Sequence, residues 1–424
     1  MEKFTKDVTM AGIYIHMPYC RTRCPYCDFF TQTSLDSRSR YEKALIREME
    51  LRRGYLEGAR VETIYFGGGT PSLFTPAQLG RIVESIYRLF PVSDDPEITL
   101  EANPDDVSRP FYDGLLSAGI NRLSLGTQSF IDEELKFLGR RHTAQQNISA
   151  IEYALEAGFK NISVDLIYGI PLSGSSPLSV EGLPGKEGPR KHSLSGRDAN
   201  KNPLSGEGLS KINVELFKNL NTIFSYPVNH LSAYHLTIEP GTPFGRMKKK
   251  GALKELDEQE SLRQFETLIG FTREKGMEQY ELSNFAFPGY RSRHNASYWQ
   301  RKPYLGLGPS AHSYNTRQRH WSVAHLEKYM DAIEAGHLPL EEEQLTTRDH
   351  FNEHVITALR TTEGINLEEI TKLYGKDYRD YLVKAAKGYL DRNQLVMENN
   401  HLKLTDPGKF ISDAIMRDLM QIHR

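Results

Sequence analysis

The stretch GIYIHMPYCRTRCPYC at residues 12–27 places an apolar run directly before three closely spaced cysteines. Residues 12–17 are predicted to form a β-strand, because isoleucine and tyrosine favour extended backbone. Cys20, Cys24 and Cys27 are the only cysteines in 424 residues. An odd number at such close spacing is not a disulfide framework. The three thiols are therefore predicted to act together.

Three thiolates suit an iron–sulfur cluster that keeps one position open. Four cysteines would saturate a [4Fe–4S] cube, so three leave one iron free for a small ligand. Pro25 and Tyr26 favour a tight loop between the last two cysteines rather than a helix. A zinc ion with His16 as its fourth ligand is an alternative, and three unrelated buried thiols are another.

Short β-type runs alternate with helical patterns over the first two thirds of the chain. One helix is predicted from apolar residues at i, i+3, i+4 and i+7 spacing, beginning at Leu79. Six β-then-α units predict a parallel sheet, since parallel neighbours need crossover helices. Doubly wound and barrel sheets both fit this pattern. The further predicted strands are residues 63–66, 98–101, 122–125, 162–167 and 230–234.

Three later regions differ in composition. Residues 173–208 lack aromatic side chains and are rich in Gly, Ser, Pro and basic residues, which predicts a flexible insertion. Residues 288–314 are rich in Gly, His, Tyr and Arg and are predicted to form a functional loop. Two helices, 366–374 and 378–390, followed by a hairpin at 395–404 are typical of a winged helix.

Bulk properties restrict the class of protein. The formal net charge is −2, and the winged-helix-like part lacks a basic recognition stripe, so no nucleic-acid partner is expected. No run of about 18 apolar residues is present, so no membrane span is expected. The N-terminus lacks the apolar core of a signal peptide. We therefore expect a cytoplasmic protein.

Cys-x-x-x-Cys-x-x-Cys with Tyr26 before the last cysteine resembles the radical S-adenosylmethionine superfamily. The resemblance implies an α/β fold, a partial (β/α)6 barrel with a smaller, mainly helical, winged-helix-like C-terminal domain. It also implies a [4Fe–4S] cluster whose open iron chelates S-adenosylmethionine, with cleavage to a 5′-deoxyadenosyl radical. The expected division is a core at 1–285, a connecting and haem-motif region at 286–340 and a helical domain at 341–424.

Further matches to this superfamily lie at the carboxyl ends of predicted strands, where α/β sheets place their sites. Glycines in the segment FGGGTPS at 66–72 allow close approach of the backbone to a ligand. Glu101 matches a ribose-binding acid, and Arg140 could pair with the methionyl carboxylate. The residues that the resemblance implies for S-adenosylmethionine are Tyr14, Tyr26, Gly68, Gly69, Thr70, Glu101, Gln128, Arg140 and Asp165.

The second half of the chain narrows the resemblance. The segments YELSNFA at 280–286, SRHNASYW at 292–299 and GLGPSAHS at 306–313 resemble a group containing oxygen-independent coproporphyrinogen III dehydrogenase and a related family of haem chaperones. The dehydrogenase has a further cysteine where this chain has Phe29. The pattern His-Asn-x-x-Tyr-Trp is associated with haem in the chaperones. It makes His294 the first candidate haem ligand and His312 a second, with Arg291 or Arg293 near the propionates; a structural histidine is the alternative.

The function predicted from this resemblance is a chaperone that binds one haem per chain and passes it to an acceptor protein. A haem donor and a homodimer are left open. The alternative is the dehydrogenase itself, which decarboxylates propionate side chains of coproporphyrinogen III by radical chemistry. A radical enzyme on another substrate is a third hypothesis. No catalytic residue is assigned.

Overall fold

The computed structural model of the protein describes residues 10–172 and 213–422, so the predicted insertion at 173–208 lies outside the described residues. The strands are β1 (Met10–Met17), β2 (Arg60–Gly68), β3 (Val92–Ala102), β4 (Arg122–Gln128), β5 (Ile162–Tyr168), β6 (His230–His235), β7 (Glu278–Glu281), β8 (Asn284–Ala286), β9 (Tyr304–Leu307), β10 (His312–Tyr314), β11 (Gln318–Ser322), β12 (Leu340–Gln344), β13 (Ile365–Asn366), β14 (Leu395–Glu398) and β15 (His401–Leu404). The helices are α1 (Arg38–Leu51), α2 (Pro76–Leu89), α3 (Arg109–Ser117), α4 (Asp132–Phe137), α5 (Ala144–Ala157), α6 (Val214–Phe224), α7 (Pro243–Lys249), α8 (Glu258–Glu274), α9 (Arg293–Trp299), α10 (Leu326–Glu334), α11 (Thr347–Leu359), α12 (Leu367–Tyr374), α13 (Lys376–Asp391), α14 (Asp406–Phe410) and α15 (Ser412–Leu419).

Six parallel strands form the centre of the main sheet. Strands β1 to β6 lie side by side in chain order, and each pairs in parallel with the next. All six predicted strands are confirmed. Strand β9 adds in parallel beside β1 and continues into antiparallel β10, β11 and β12, while β8 and β7 extend the other edge. The sheet therefore stays open, as expected for a partial barrel.

The two faces of the parallel strands explain why this sheet curves into a barrel. One face is apolar and packs under the helices, with Ile64, Leu100, Leu123, Val164 and Leu231 all fully buried. The other face is polar and lines the interior, with Thr63, Thr99, Arg122, Ser163 and His230 also buried. A doubly wound sheet is covered by helices on both faces, so both of its faces carry apolar side chains. The polar inner face favours the barrel.

Helix α2 shows how the outer layer is specified. Thr75 caps its N-terminus and forms a reciprocal capping box with Gln78, and a proline occupies the first turn. The predicted stripe Leu79, Ile82, Val83 and Ile86 is buried against the sheet. Burying each of these side chains contributes roughly 1.5–3 kcal/mol. The predicted helix is confirmed.

The prediction of an irregular loop over residues 288–314 is wrong. Ser292 caps helix α9, and Leu305 and Leu307 are fully buried in β9. Because β9 pairs with β1, its backbone hydrogen bonds are satisfied inside the main sheet. Elements of three to seven residues are too short to show periodicity, and their Gly and His content resembled that of a loop.

A second core lies in the C-terminal part. It joins α11, α12, α13 and α15 to a small antiparallel sheet of β13, β15 and β14, packed around Phe351, Leu382 and Leu402. The predicted helix–helix–hairpin order is confirmed, with Asn366 capping α12. Strand β12 still belongs to the main sheet. The division of the chain at 285 and 340 remains a proposal.

None of the described helices is both long enough and apolar enough to cross a membrane.

Candidate functional site

A cavity of about 470 Å³ opens at the carboxyl ends of the parallel strands. Its size suits a small-molecule ligand, and its position is the usual one for sites in β/α barrels. Residues from the cysteine loop, the glycine segment and several strand ends meet there. Its lining includes Cys20, Cys24, Tyr26, Cys27, Gly68, Gly69, Thr70, Glu101, Gln128, Arg140 and Asp165.

The cysteine loop follows β1 and forms one wall of the cavity. The Cys27 N–H donates to the Cys24 carbonyl at 3.2 Å, which closes the tight turn predicted from Pro25 and Tyr26. The Cys20 N–H donates to the Gln32 carbonyl at 2.9 Å and ties the start of the loop to its end. All three thiols are free and partly exposed. They are accessible as ligands.

The arrangement does not suit a single metal ion. Within residues 10–172 and 213–422, no three His, Cys, Asp or Glu side chains converge on a point where one ion could sit. His16 is 4% exposed, and its ring nitrogens contact the Phe30 carbonyl at 2.9 Å and the Tyr14 hydroxyl at 3.2 Å. The zinc alternative therefore lacks its fourth ligand, whereas a cube can bridge thiolates that stand further apart.

The glycine segment holds the start of the cysteine loop. The Gly69 N–H donates to the Met17 carbonyl at 2.8 Å, and the Thr70 N–H donates to the Tyr19 carbonyl at 2.7 Å. A Cβ at Gly69 would lie only 2.5 Å from the Met17 oxygen and 2.7 Å from the Tyr19 oxygen. The glycine is therefore required for packing between two chain segments, in addition to any contact with a ligand.

Two buried carboxyl groups lie in the cavity. Glu101 accepts hydrogen bonds from the Tyr65 hydroxyl at 2.8 Å and the Gly68 N–H at 3.2 Å, and burial raises its pKa to about 7. Asp165 accepts from the Ser124 hydroxyl at 3.1 Å, and burial raises its pKa to about 6. A cationic ligand would favour the ionised form of both groups.

Arg140 links the cavity wall to the cysteines. Its guanidinium donates to Asn103 Oδ1 at 2.6 Å and to the Gly126 carbonyl at 2.9 Å, and it lies 3.5 Å from Cys24 Sγ. Asn103 in turn donates to Thr70 Oγ1 at 3.1 Å, and Thr70 donates to Cys20 Sγ at 3.4 Å. One hydrogen-bonded chain thus joins the first two cysteines, Cys20 and Cys24.

Asn103 and Tyr234 are among the cavity residues that the sequence reasoning missed, and one predicted residue does not line the cavity. Asn103 and Tyr234 line the cavity at the ends of β3 and β6, and their positions at strand ends were the available signal. Tyr14 is not among the lining residues. It stacks on Tyr65, with ring centroids 6.2 Å apart, and bonds to His16. Its predicted contact with a ligand stays a prediction.

The His-Asn-x-x-Tyr-Trp motif lies on α9, where His294 contacts Tyr298. His294 is 1% exposed and fills the floor of the barrel, with Thr63 Oγ1 2.8 Å from Nδ1 and the Tyr298 hydroxyl 2.9 Å from Nε2. Its ring stacks on Tyr65 at 5.0 Å. Burial lowers the pKa of His294 to about 3, so the imidazole is neutral.

Tyr298 and Trp299 instead line a second cavity of about 330 Å³ between the main sheet and α11. The predicted propionate partners lie elsewhere, because Arg291 pairs with Glu278 and Glu363, and Arg293 donates to the Asp95 carbonyl. The other residues that line this second cavity are Arg301, Lys302, Tyr304, Tyr314, Arg319, Glu353 and Thr357.

An open (β/α)6 barrel whose first strand delivers three spaced cysteines to a cavity at its carboxyl edge defines the radical S-adenosylmethionine class. The model of the Radical SAM superfamily matches residues 14–175, and that of the HemN C-terminal domain matches residues 345–411. Coproporphyrinogen III oxidase (HemN) from Escherichia coli has the same fold, with a TM-score of 0.76 over 98% of this chain and 91% of that chain at 20% identity.

Sequence relatives identify the family within this class. "Heme chaperone HemW" of Bacillus subtilis is 31% identical, over 96% of this chain and 98% of that protein. The protein of the same name from Escherichia coli is 32% identical over 71% of this chain and 69% of that protein. A bovine relative, "Radical S-adenosyl methionine domain-containing protein 1, mitochondrial", is 28% identical over 97% of this chain and 87% of that protein. The chain belongs to the HemW family.

Proposed function

We propose that this chain holds one [4Fe–4S] cluster on Cys20, Cys24 and Cys27, binds S-adenosylmethionine at the fourth iron, and carries haem to an acceptor protein. The observation that carries the first half is the cavity in which three free thiols face two buried carboxyl groups and an arginine. The cluster would supply the electron and the site of chelation. The proposed compartment is the cytoplasm, where reducing conditions keep thiols free.

The cavity residues have distinct roles in this proposal. Cys20, Cys24 and Cys27 would hold a cluster able to chelate the methionyl end, and Arg140, 3.5 Å from Cys24 Sγ, would pair with the methionyl carboxylate. Glu101 accepts hydrogen bonds from the ribose hydroxyls. Together with Asp165 it also places negative charge beneath a sulfonium cation. The glycine segment offers backbone groups without side chains in the way.

Haem as the cargo is supported by the relatives. Proteins named heme chaperones match this chain over nearly its full length. The chain also keeps the His-Asn-x-x-Tyr-Trp pattern and has Phe29 in place of a fourth nearby cysteine. One haem per chain is expected, and the acceptor is a protein that lacks haem. A haem donor and a homodimer belong to the same proposal.

The second candidate function is oxidative decarboxylation of a porphyrinogen. It is favoured by the match to the HemN C-terminal domain at residues 345–411. In this case radical chemistry at the cysteine cavity would remove one hydrogen atom from a propionate side chain, and loss of carbon dioxide would pass the remaining electron to an added acceptor. A porphyrinogen would then have to enter the cysteine cavity, whereas haem carried as cargo would not.

One series of measurements tests both candidates. Anaerobically reconstituted protein should contain about four iron and four sulfide per chain, and adding S-adenosylmethionine should change the electron paramagnetic resonance spectrum of the reduced cluster. Haem titration should then give a saturable Soret band at one haem per chain. Formation of protoporphyrinogen from coproporphyrinogen III would instead support the enzyme. Saturation with iron but no haem binding would contradict the chaperone.

A further inference from the structure

His294 is poorly placed to bind iron. Both of its ring nitrogens already have partners, Thr63 Oγ1 at 2.8 Å and the Tyr298 hydroxyl at 2.9 Å. The ring is also stacked on Tyr65 at 5.0 Å and is 1% exposed. An axial haem ligand needs a free nitrogen that an incoming macrocycle can reach. His294 would have to break a buried hydrogen bond and leave the barrel floor to meet that requirement.

His312 meets the requirement without rearrangement. It lies on β10 and is exposed. Within residues 10–172 and 213–422, neither of its ring nitrogens has a hydrogen-bond or ion-pair partner. Its ring lies beside the indole of Trp321, with centroids 6.0 Å apart and planes 27° apart. Partial burial and the nearby Arg319 lower the pKa of His312, which favours the neutral imidazole that metals bind.

Strand register places His312 on a larger aromatic surface. His312 pairs with Trp321, and Tyr314 pairs with Arg319, across β10 and β11. Directly opposed residues share a face of a sheet, and so do residues two apart along a strand. His312, Tyr314, Arg319 and Trp321 therefore form one surface, which we call the aromatic face.

The aromatic face continues into the second cavity. Tyr314 and Arg319 belong to both, and Tyr298 and Trp299 form the opposite wall. Both tryptophans of the chain thus lie along one continuous surface. Arg319 pairs with Glu353 at 2.7 Å and Lys302 pairs with Glu62 at 3.7 Å, but the two cations are 40% and 37% exposed, so an anionic group from solvent can reach each of them. Flat apolar rings beside cations match the chemistry of a macrocycle with carboxylate side chains.

We propose that His312, rather than His294, is the iron ligand of haem in this chain, and that the aromatic face together with Tyr298 and Trp299 receives the macrocycle. This inference rests on the proposed haem-binding function and specifies its site. Arg319 and Lys302 would pair with the propionates in place of their present partners, Glu353 and Glu62. His294 has a structural role in the barrel floor, where it is hydrogen-bonded to Thr63 and Tyr298.

The matched control is His320. It lies eight residues after His312 on the adjacent strand, but on the opposite face, where Nδ1 contacts the Tyr55 hydroxyl at 3.2 Å. Removing His320 also removes one imidazole from the same part of the sheet. His294→Gln is the second comparison, because glutamine keeps a polar group of similar size in the barrel floor.

The experiment is haem titration of the full, reconstituted chain, followed by absorption and electron paramagnetic resonance spectra. His312→Ala should shift the Soret band and weaken haem binding by roughly tenfold or more. His320→Ala and His294→Gln should keep the wild-type spectrum. Added imidazole should restore the wild-type spectrum in His312→Gly, which separates loss of the ligand from loss of folding.

The other outcomes are distinguishable. If His294→Gln alters the iron spectrum while His312→Ala retains it, the motif histidine is the ligand and the inference is wrong. If neither variant alters the spectrum, the ligand lies elsewhere and the inference is again wrong. If the wild-type chain binds no haem at all, the proposed chaperone function fails first, and the inference fails with it.

Discussion

At the carboxyl edge of β1–β6, side chains from several strand ends converge on one cavity, whereas the single short helix α9 sends its motif residues to two different places. The strand ends must meet, because parallel neighbours in register bring their last residues to the same edge. On α9, His294 points into the barrel floor, while Trp299 reaches the second cavity. A position at the end of a parallel strand is therefore a better guide to a shared site than closeness in sequence along one helix.

The largest expected effect is the loss of the cluster. Replacing Cys20, Cys24 and Cys27 together by alanine should reduce iron and sulfide to near background, because no other thiol exists in the chain. The fold should persist, since all three thiols are partly exposed. Metal and sulfide analysis after anaerobic reconstitution checks this. A triple variant that still holds a full complement of iron would contradict the assignment.

The next effect concerns the packing that supports the cysteine loop. Gly69→Ala should destabilise the protein by about 1–3 kcal/mol, because its Cβ would overlap the carbonyl oxygens of Met17 and Tyr19. Gly80→Ala is the control: its Cβ would lie 3.6 Å from Ala118 Cβ, and alanine in the helix should stabilise by about 0.5–1 kcal/mol. Denaturant unfolding compares the two. Equal effects would refute the packing role of Gly69.

A smaller effect is expected from pH. Glu101 and Asp165 have pKa values raised to about 7 and about 6, so both are mainly protonated below pH 6 and ionised near pH 8. A sulfonium cation should therefore bind up to about tenfold more tightly as the pH rises over this range. The ligand's own amino group titrates near pH 8 as well. Anaerobic calorimetry should therefore compare the pH dependence of the affinity in the wild-type chain and in Glu101→Gln. An unchanged pH dependence in the variant would show that Glu101 does not contribute to it.

The smallest effect on ligand binding is expected at Thr63, which contacts His294 of α9. Thr63→Val removes the hydrogen-bond partner of His294 Nδ1 and leaves this buried ring nitrogen unpaired, which should cost about 1–3 kcal/mol of unfolding free energy. The stoichiometry of haem and its iron spectrum should not change. Denaturant unfolding and haem titration on the same sample provide both readings. A changed iron spectrum would indicate that His294 is a ligand after all.

The six central strands and the cysteine cavity could be predicted from the sequence. Each strand shows its own β-type run, and the cysteines and Glu101 lie at or just beyond strand ends, so topology alone brings them together. The choice of a barrel required the resemblance, because periodicity does not report curvature. The curvature arises from the polar inner face of the sheet, which includes Arg122 and His230 and is known only from the structure.

The edges of the sheet could not be predicted in the same way. Strands β9 and β10 have four and three residues, too few for a periodic signal, and β9 is defined by pairing with β1 almost 300 residues earlier. The environment of His294 could not be predicted from the sequence for a related reason. Its partner Thr63 is 231 residues away in sequence, so no local pattern shows that the imidazole is already occupied.

The central claim is that the cysteine cavity and the aromatic face are separate binding sites in one chain. Haem titration of the triple Cys→Ala variant beside the reconstituted wild-type chain tests it most directly. The account predicts one haem per chain in both proteins, with the same Soret band and similar affinity. Haem binding that disappears together with the thiols would contradict it, since the haem would then depend on the cysteine cavity itself.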